Sequence, residues 1–499
     1  MRLWLRTMCG AALLVAFPSM LVVLLAVLVG AEALLLVDSV GNGLTWAIAI
    51  VPTSIIVVRG LRVLLTKVGE PVRGVPLAEH EHPRLWTLVR RLAEVCDTRP
   101  PDEIYLNDEI TAVVVEETRL LGLVSTHRRM FIGAPLVADM REDELAAVLA
   151  HELAHYGHWD TRLSTLAYRG RRAFVSTVSA LDRTVPFERV LAVLLNGWMR
   201  LYLRASNGLS QRQEQAADRV AARAGGAAAM AGALREIAVT TEAWRLFAEH
   251  HLVMGWDAGY LPADIFGGYA ELRQSMSERL DTIRLNPPNE PRPLGTHPPV
   301  ASRVADLEAM ATAPAVACGQ RPARELLHDA ATALDAAVVR SLGPEAGDKR
   351  RADWVTLAHV HGAPRAAAAA TALLTAAARL TERPATIRTV LTALDAGDLA
   401  ELAGVPRMRG VGPRGRREQA RPTVRGGLRA TVGLAMVGVG AASWVPAWPS
   451  CARLAVDPPY EATFAGLIDA AVADRPDTTG LRALLDTANV DVDRTDVTT

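Results

Sequence analysis

The four cysteines of this 499-residue chain, Cys9, Cys96, Cys318 and Cys451, stand too far apart for any CxxC pair, which excludes a zinc ribbon and a disulfide framework. They read as incidental thiols of a reducing compartment. An excess charge of one sign is also missing. With 54 basic and 54 acidic residues the charges cancel, so no global field points to nucleic acid or an anionic surface as partner. Aromatic residues make up only 5% of the chain while Ala and Arg are abundant, which favours helix over sheet. Length and apolar mass are what the chain does have. At 50% hydrophobic content, 499 residues are enough for two or three domains.

The uncharged run from Ala11 to Ala31 has the ~20 residues that a helix needs to cross ~30 Å of hydrocarbon. A second run, Leu44 to Val58, reaches Leu65 if Arg59 and Arg62 snorkel, and the turn-forming stretch Asp38 to Gly43 joins the two into a helical hairpin. Arg2 and Arg6 precede the pair, Arg59, Arg62 and Lys67 follow it, and only Glu32 and Asp38 lie between, so both ends are expected in the cytoplasm. A secretory signal ending near Ala31-Glu32-Ala33 is the competing reading. The length of the first run and the second run close behind it favour two retained helices.

From Pro71 the composition turns mixed. Leu85, Leu88, Val89 and Leu92 share one helical face, and strands are expected at Glu103 to Leu106, Ala112 to Val115 and Met130 to Ile132. Glu116 and Glu117 read as solvated charges. Residues Val190 to Arg204 form an apolar helical stretch, read as packed over the site rather than spanning a bilayer. Beyond Met310 the chain is Ala-rich and helical, and a cluster of arginines from Arg407 to Arg429 precedes the uncharged run Ala430 to Trp448. That run is a candidate third span, with a soluble helix as the alternative and an acidic tail after it.

The chemistry concentrates at His151-Glu152-Leu153-Ala154-His155, on a helix that Glu142, Asp143 and Glu144 open and that Leu145, Val148 and Leu149 make amphipathic. Histidines at i and i+4 share a face and can reach one metal ion. Glu152, about 100° around the helix, can take a proton from a water on that ion, whose pKa zinc lowers to ~7. A catalytic zinc needs a third protein ligand. Ser210-Gln211-Arg212-Gln213 reads as a capping box that opens a helix just before Glu214-Gln215-Ala216-Ala217-Asp218, so Glu214 is the candidate ligand and Asp218 a support for a ligating imidazole. A surface helix with three exposed polar residues is the bland alternative.

HELAH at 151 to 155, SQRQEQAAD at 210 to 218, and Thr296-His297-Pro298-Pro299 followed by Arg303 resemble the three ordered motifs of the HtpX-like and CAAX-prenyl-protease-like membrane zinc peptidases. The resemblance covers roughly residues 70 to 310 and the hairpin before them. It implies a gluzincin-type zincin with a cytoplasmic active site, one Zn2+ ion held by His151, His155 and Glu214, Glu152 as general base and Asp218 as supporting carboxylate. His297 is a candidate donor to the oxyanion, with a turn-capping role as the alternative. His158 and Asp160 read as structural and supporting groups. One departure stands out: where family members carry Asn-Ala-Phe on the strand before the metal helix, this chain has Thr111-Ala112-Val113. Backbone binding of an extended substrate survives that change, whereas a contact from the Asn side chain does not.

The fold class expected is mainly α with a small β-sheet. Its parts are a transmembrane hairpin at 1–68, a zincin-like metallopeptidase domain at 69–310, an Ala-rich helical region with a basic segment at 311–424, the candidate third span at 425–449 and an acidic tail at 450–499. The function expected is a membrane-bound zinc metalloendopeptidase of the plasma membrane, multi-pass, acting on membrane-associated or misfolded polypeptides, with the lipid bilayer as a partner and no nucleic acid. A pseudo-peptidase or membrane scaffold that keeps its zinc is the rival, and the retained Glu152 argues against it. A zinc sensor would want a fourth protein ligand, which the motifs do not supply.

Overall fold

A computed structural model describes residues 2–65, 74–119, 124–156, 177–178, 181, 186–287, 298–310, 312–406 and 412–495. The chain is mostly helical with small sheets and divides into two compact units, residues 1–242 with 278–343 and residues 243–277 with 344–499.

In the first unit, helices α1 (Arg2–Asp38) and α2 (Val40–Leu65) meet at Ser39. The expected turn of Asp38 to Gly43 shrinks to that one residue, because the Ser39 and Gly43 amides still donate to Leu35 and Ser39 carbonyls at 2.9 Å. Ser19–Asp38 is long and apolar enough to cross a membrane, whereas α2 passes only as the pair Val40–Ile48 and Ile50–Arg59, bent by 49°. Leu21, Leu28 and Val57 bury themselves with Leu191, Ala192 and Leu195, which belong to a later helix.

The globular part begins with strand β1 (Val75–Pro76) and helix α3 (Pro83–Val95), which buries Leu85, Leu88, Val89 and Leu92 as the periodicity predicts. Strands β2 (Glu103–Asn107), β3 (Ala112–Arg119) and β4 (Val124–Gly133) complete a sheet of order β1-β2-β4-β3. The three expected strands are present and longer than the sequence suggests. Strand β2 runs parallel to β4, β3 antiparallel to it, so β3 is the sheet's edge among the described residues. Glu116 lies directly opposite Arg128 in that register, and it is ion-paired rather than solvated: the buried Arg128 guanidinium donates from Nε to its carboxylate at 2.8 Å. A buried cation needs such a partner, and the pairing of the strands supplies it.

A short helix α4 (Ala134–Asp139) leads to α5 (Glu142–Ala154), whose first turn carries the three acidic residues; the Arg141 amide donates to the Glu144 carboxylate at 3.0 Å and the Glu144 amide to Asp143 Oδ1 at 2.9 Å. Helix α5 is less amphipathic than its sequence suggests. Leu145 to His151 are all buried, because Ala146, Ala147 and Ala150 let neighbours approach from several sides.

Helix α6 (Pro186–Gly225) runs 40 residues without a break. The helix start expected at Ser210 therefore does not exist. No proline or charged cluster interrupts 199–213, and a single interior Gly208 is tolerated. Helix α7 (Ala227–Leu246) follows after Gly226, which sits at φ +102°.

In the second unit a π-helical turn, Phe247–His251, precedes β5 (Tyr260–Pro262) and α8 (Ile265–Ser275). Helix α9 (Ser277–Leu285) returns to the first unit, which also holds α10 (Val300–Glu308) and α11 (Ala330–Ser341). The second unit resumes with β6 (Arg350–Ala352), parallel to β5, and the Ala-rich α12 (Trp354–Thr381), then α13 (Ile387–Asp395) and α14 (Leu399–Leu402). Helix α15 (Pro413–Gly438) follows, and the run 430–448 is not one helix: α15 ends at Gly438, Gly440 turns at φ +75°, and β7 (Ala442–Ala447) pairs antiparallel with β8 (Cys451–Val456). Val424, Leu428, Val432 and Met436 of α15 lie in the unit's own core, so this segment is a core helix and strand. Nor is the C-terminal region a free tail. Helices α16 (Pro458–Ala471) and α17 (Thr479–Thr487) join the same core, and the basic segment pairs with Asp469 of α16, Arg425 Nη2 to Oδ2 at 3.1 Å, and with Asp474 of the link after it, Arg421 Nη2 to Oδ1 at 2.5 Å.

Candidate metal centre

The site is set by how closely α5 and α6 approach. A Cβ on Gly225 would stand 3.0 Å from the Ala147 Cα, so bare glycine against alanine brings the two backbones together. One turn further along α5 is His151, and two turns back along α6 is Asp218. Another turn brings His155 and Glu214 together. The helices therefore run antiparallel here, and their periods place two imidazoles opposite two carboxylates.

The His151 and His155 Nε2 atoms are 3.3 Å apart. Glu214 closes the triangle, with Oε2 3.4 Å from His151 Nε2 and Oε1 3.5 Å from His155 Nε2. The carboxylate meets each imidazole with a different oxygen, and one donor atom from each of the three residues lies within 4.8 Å of the others, close enough to hold one ion. Ligands at ~2.0–2.1 Å from a common ion in tetrahedral array stand about 3.4 Å from each other, so the donor set fits a zinc-sized cation. His151 and Glu214 are each 4% exposed, whereas the His155 side chain keeps 26% of its surface, which opens the triangle on that side.

Beneath the triangle, Asp218 Oδ1 lies 3.0 Å from His151 Nδ1, off the line of an ideal hydrogen bond. Arg303 from α10 donates to the same carboxylate, Nε to Oδ2 at 2.8 Å and Nη2 to Oδ1 at 2.5 Å, and its Nη1 is 3.7 Å from Glu214. All of these side chains are buried. Burial works against a charged His151, but Asp218 and Glu214, with Glu152 nearby, overcome it and raise the ring's pKa from 6.5 to about 9. Burial raises the Asp218 carboxyl while Arg303 and His151 pull it down, and the net direction is down. Arg303 is raised: burial opposes its charge and Asp218 outweighs that.

The structure thus brings together His151, His155, Glu214 and Asp218, with Glu152 half-buried in the same turn of α5. His158, Asp160 and His297 lie outside the described residues. Two residues carry more than the sequence assigned them. Arg303 stood in the third motif without a role. Its signal was the stripe it shares with Val300, Val304 and Leu307, since an arginine on an apolar face asks for a buried acid. Tyr156, directly after His155, donates its hydroxyl to the Val114 carbonyl and stacks its ring under Arg128, with 5.1 Å from guanidinium carbon to ring centre.

Residues 79–311 match the profile of peptidase family M48. Among curated proteins, the chain is 30% identical over 183 residues to a protein of Streptomyces coelicolor named protease HtpX homolog 1, covering 33% of this chain and 57% of that protein. It is 26% identical over 92 residues to a protease HtpX homolog of Tropheryma whipplei, covering 18% of this chain and 30% of that one. The chain thus spans little more than half, or less, of the curated relatives it matches. No solved structure matches.

Proposed function

We propose that the chain, which carries a peptidase family M48 domain at residues 79–311, is a membrane-bound zinc metalloendopeptidase. The observation that carries this reading is the convergence of His151, His155 and Glu214, whose nearest donor atoms stand 3.3, 3.4 and 3.5 Å apart, with a different Glu214 oxygen toward each imidazole. Those three residues would hold Zn2+, with the exposed side of His155 left for water or substrate. Zinc bound there supplies Lewis acidity, which acidifies a water to a pKa of ~7 and polarises a peptide carbonyl. Glu152 takes the proton of the attacking water and delivers it to the departing amine. Asp218, itself held by Arg303, fixes the His151 ring through Nδ1 so that Nε2 faces Glu214 and His155. His297, in the third motif, is assigned to the developing oxyanion.

The bilayer enters through Ser19–Asp38, with α2 as its companion and the arginines of both flanks on the cytoplasmic side. Substrates on this reading are polypeptides in or beside the membrane, including misfolded ones.

Elemental analysis and casein cleavage on the purified full chain test the proposal together. Wild type is expected to carry about one zinc per chain. Glu152→Gln keeps the zinc and loses cleavage by at least ~100-fold, the usual contribution of a general base. Glu214→Ala loses zinc on dialysis. Wild-type cleavage by Glu152→Gln, or full zinc occupancy in Glu214→Ala, would overturn the assignment of that residue.

A further inference from the structure

We infer that the Tyr156 hydroxyl is a latch on the substrate-binding edge of the site, holding the Val114 carbonyl until the backbone of an extended peptide displaces it. The inference rests on the peptidase reading and adds to it a residue that controls access.

Strand β3 pairs only with β4 among the described residues, so its other side is an edge. The Gly133 amide donates to the Thr111 carbonyl at 2.9 Å, which makes that couple a hydrogen-bonded pair. In an antiparallel ladder the bonded and non-bonded pairs alternate, so Ala112, opposite Ile132, and Val114, opposite Met130, turn their N–H and C=O groups away from β4. An uncovered edge of this kind is a template for one more strand, but Ala112 and Val114 are 4% and 2% exposed, so a peptide can pair here only when the cover is displaced. The Ala112 and Val114 carbonyls are already taken by hydroxyls of the chain itself. Thr111 Oγ1 donates to Ala112 at 3.0 Å, and the Tyr156 phenol donates to Val114.

Tyr156 follows His155 directly, so the edge it covers adjoins the metal triangle. A peptide laid along β3 near the triangle needs the Val114 carbonyl as an acceptor, and the phenol competes for it. The ring itself is held from the other side. Arg128 lies over it, and Arg128 is fixed by Glu116 and by Thr98 Oγ1 at 3.0 Å. The stacking and the hydrogen bond are therefore separable: without the hydroxyl only the stacking on Arg128 holds the ring over the edge, and an incoming strand displaces it more easily. The competition is worth one neutral hydrogen bond, about a 3- to 10-fold effect on binding.

The test uses the zinc-loaded full chain in detergent and a fluorescein-labelled casein fragment. Affinity is measured by anisotropy for Glu152→Gln and for Glu152→Gln/Tyr156→Phe, and casein cleavage kinetics for wild type and Tyr156→Phe. The latch predicts a Kd and a KM about 3- to 10-fold lower without the hydroxyl, with kcat changed by less than about 2-fold. Unchanged or weaker binding would assign Tyr156 a structural role, and a lowered kcat would assign it to the chemical step. Either result overturns the latch. If Tyr156→Phe lowers the melting temperature, Tyr156→Leu must show the same tighter binding. A wild type that neither binds nor cleaves casein overturns the peptidase reading itself, an outcome distinct from cleavage with an unaltered Kd.

Discussion

Arg303 grips Asp218 with two parallel bonds, 2.8 and 2.5 Å, although the two residues lie 85 positions apart on different helices. The pair is buried, and it sits directly beneath His151, whose Nδ1 is 3.0 Å from the same carboxylate. A histidine, a carboxylate and a guanidinium thus form one column that ends at the metal triangle. The column explains how a third motif, far in sequence from His151, His155 and Glu214, comes to the same cluster: it supplies the countercharge without which two buried carboxylates, Asp218 and Glu214, would repel.

Arg303→Met should therefore weaken zinc binding without touching a ligand. The loss expected is 10- to 100-fold, the range for removing a group that orients a metal-bound histidine, with a stability cost of about 3–5 kcal/mol for stranding a buried carboxylate. Arg303→Lys keeps the charge and loses the fork, so it should fall between the two. Competition with a chelator of known affinity measures the effect. A zinc affinity equal to wild type in Arg303→Met would show the column to be irrelevant to the metal.

The cluster of His151, His155 and Glu214 is legible because its parts are local. A spacing of four fixes His151 and His155 on one face, and a spacing of four fixes Glu214 and Asp218 on another. What joins them was not legible. The antiparallel crossing at Ala147 and Gly225 depends on two small residues 78 positions apart, and nothing in either segment announces the other. The same holds for Glu116, whose partner Arg128 is set by strand register, and for the arginines of α15, neutralised by Asp469 and Asp474 after a chain reversal. Capping residues inside a helix look the same as at its start, so Ser210 to Gln213 mark no boundary within α6. The uncharged run 430–448 was ambiguous for a related reason. Its apolar content is the same whether it lies in lipid or, as here, in a protein core, and the turn at Gly440 is what separates helix from strand.

In the metal-free protein, His151 gives a stability signature with a definite sign. Its folded pKa of about 9 lies above the ordinary 6.5, so the protonated ring stabilises the fold. That contribution is complete below about pH 6.5 and is lost as pH rises through about 9. EDTA-treated protein should melt at a lower temperature at pH 9 than at pH 6.5, and His151→Gln should show a smaller decline. Zinc added at pH 9 should restore stability, because the ligand it needs is the unprotonated ring. An identical decline in wild type and His151→Gln would place the titration elsewhere.

Gly225 offers the sharpest separation of packing from chemistry, since it touches no ligand and yet sets where two of them stand. A methyl group there would meet Ala147 Cα and N at 3.0 Å, and these are backbone atoms that no rotamer change can move aside. Gly197, on the same helix, has nothing within 4 Å of its added Cβ. By helix propensity alone both Gly→Ala changes should stabilise by up to ~1 kcal/mol. Gly197→Ala is expected to do so and to leave zinc affinity unchanged. Gly225→Ala is expected to lose that gain, and Gly225→Val to destabilise by about 1–3 kcal/mol through overpacking. Because pushing α6 away from α5 also moves Glu214 and Asp218 relative to the histidines, both Gly225 variants should release zinc faster than wild type. Thermal melts and zinc release rates on the three variants decide the matter. Normal zinc retention in a destabilised Gly225→Val would mean that the triangle is positioned by something other than the helix crossing.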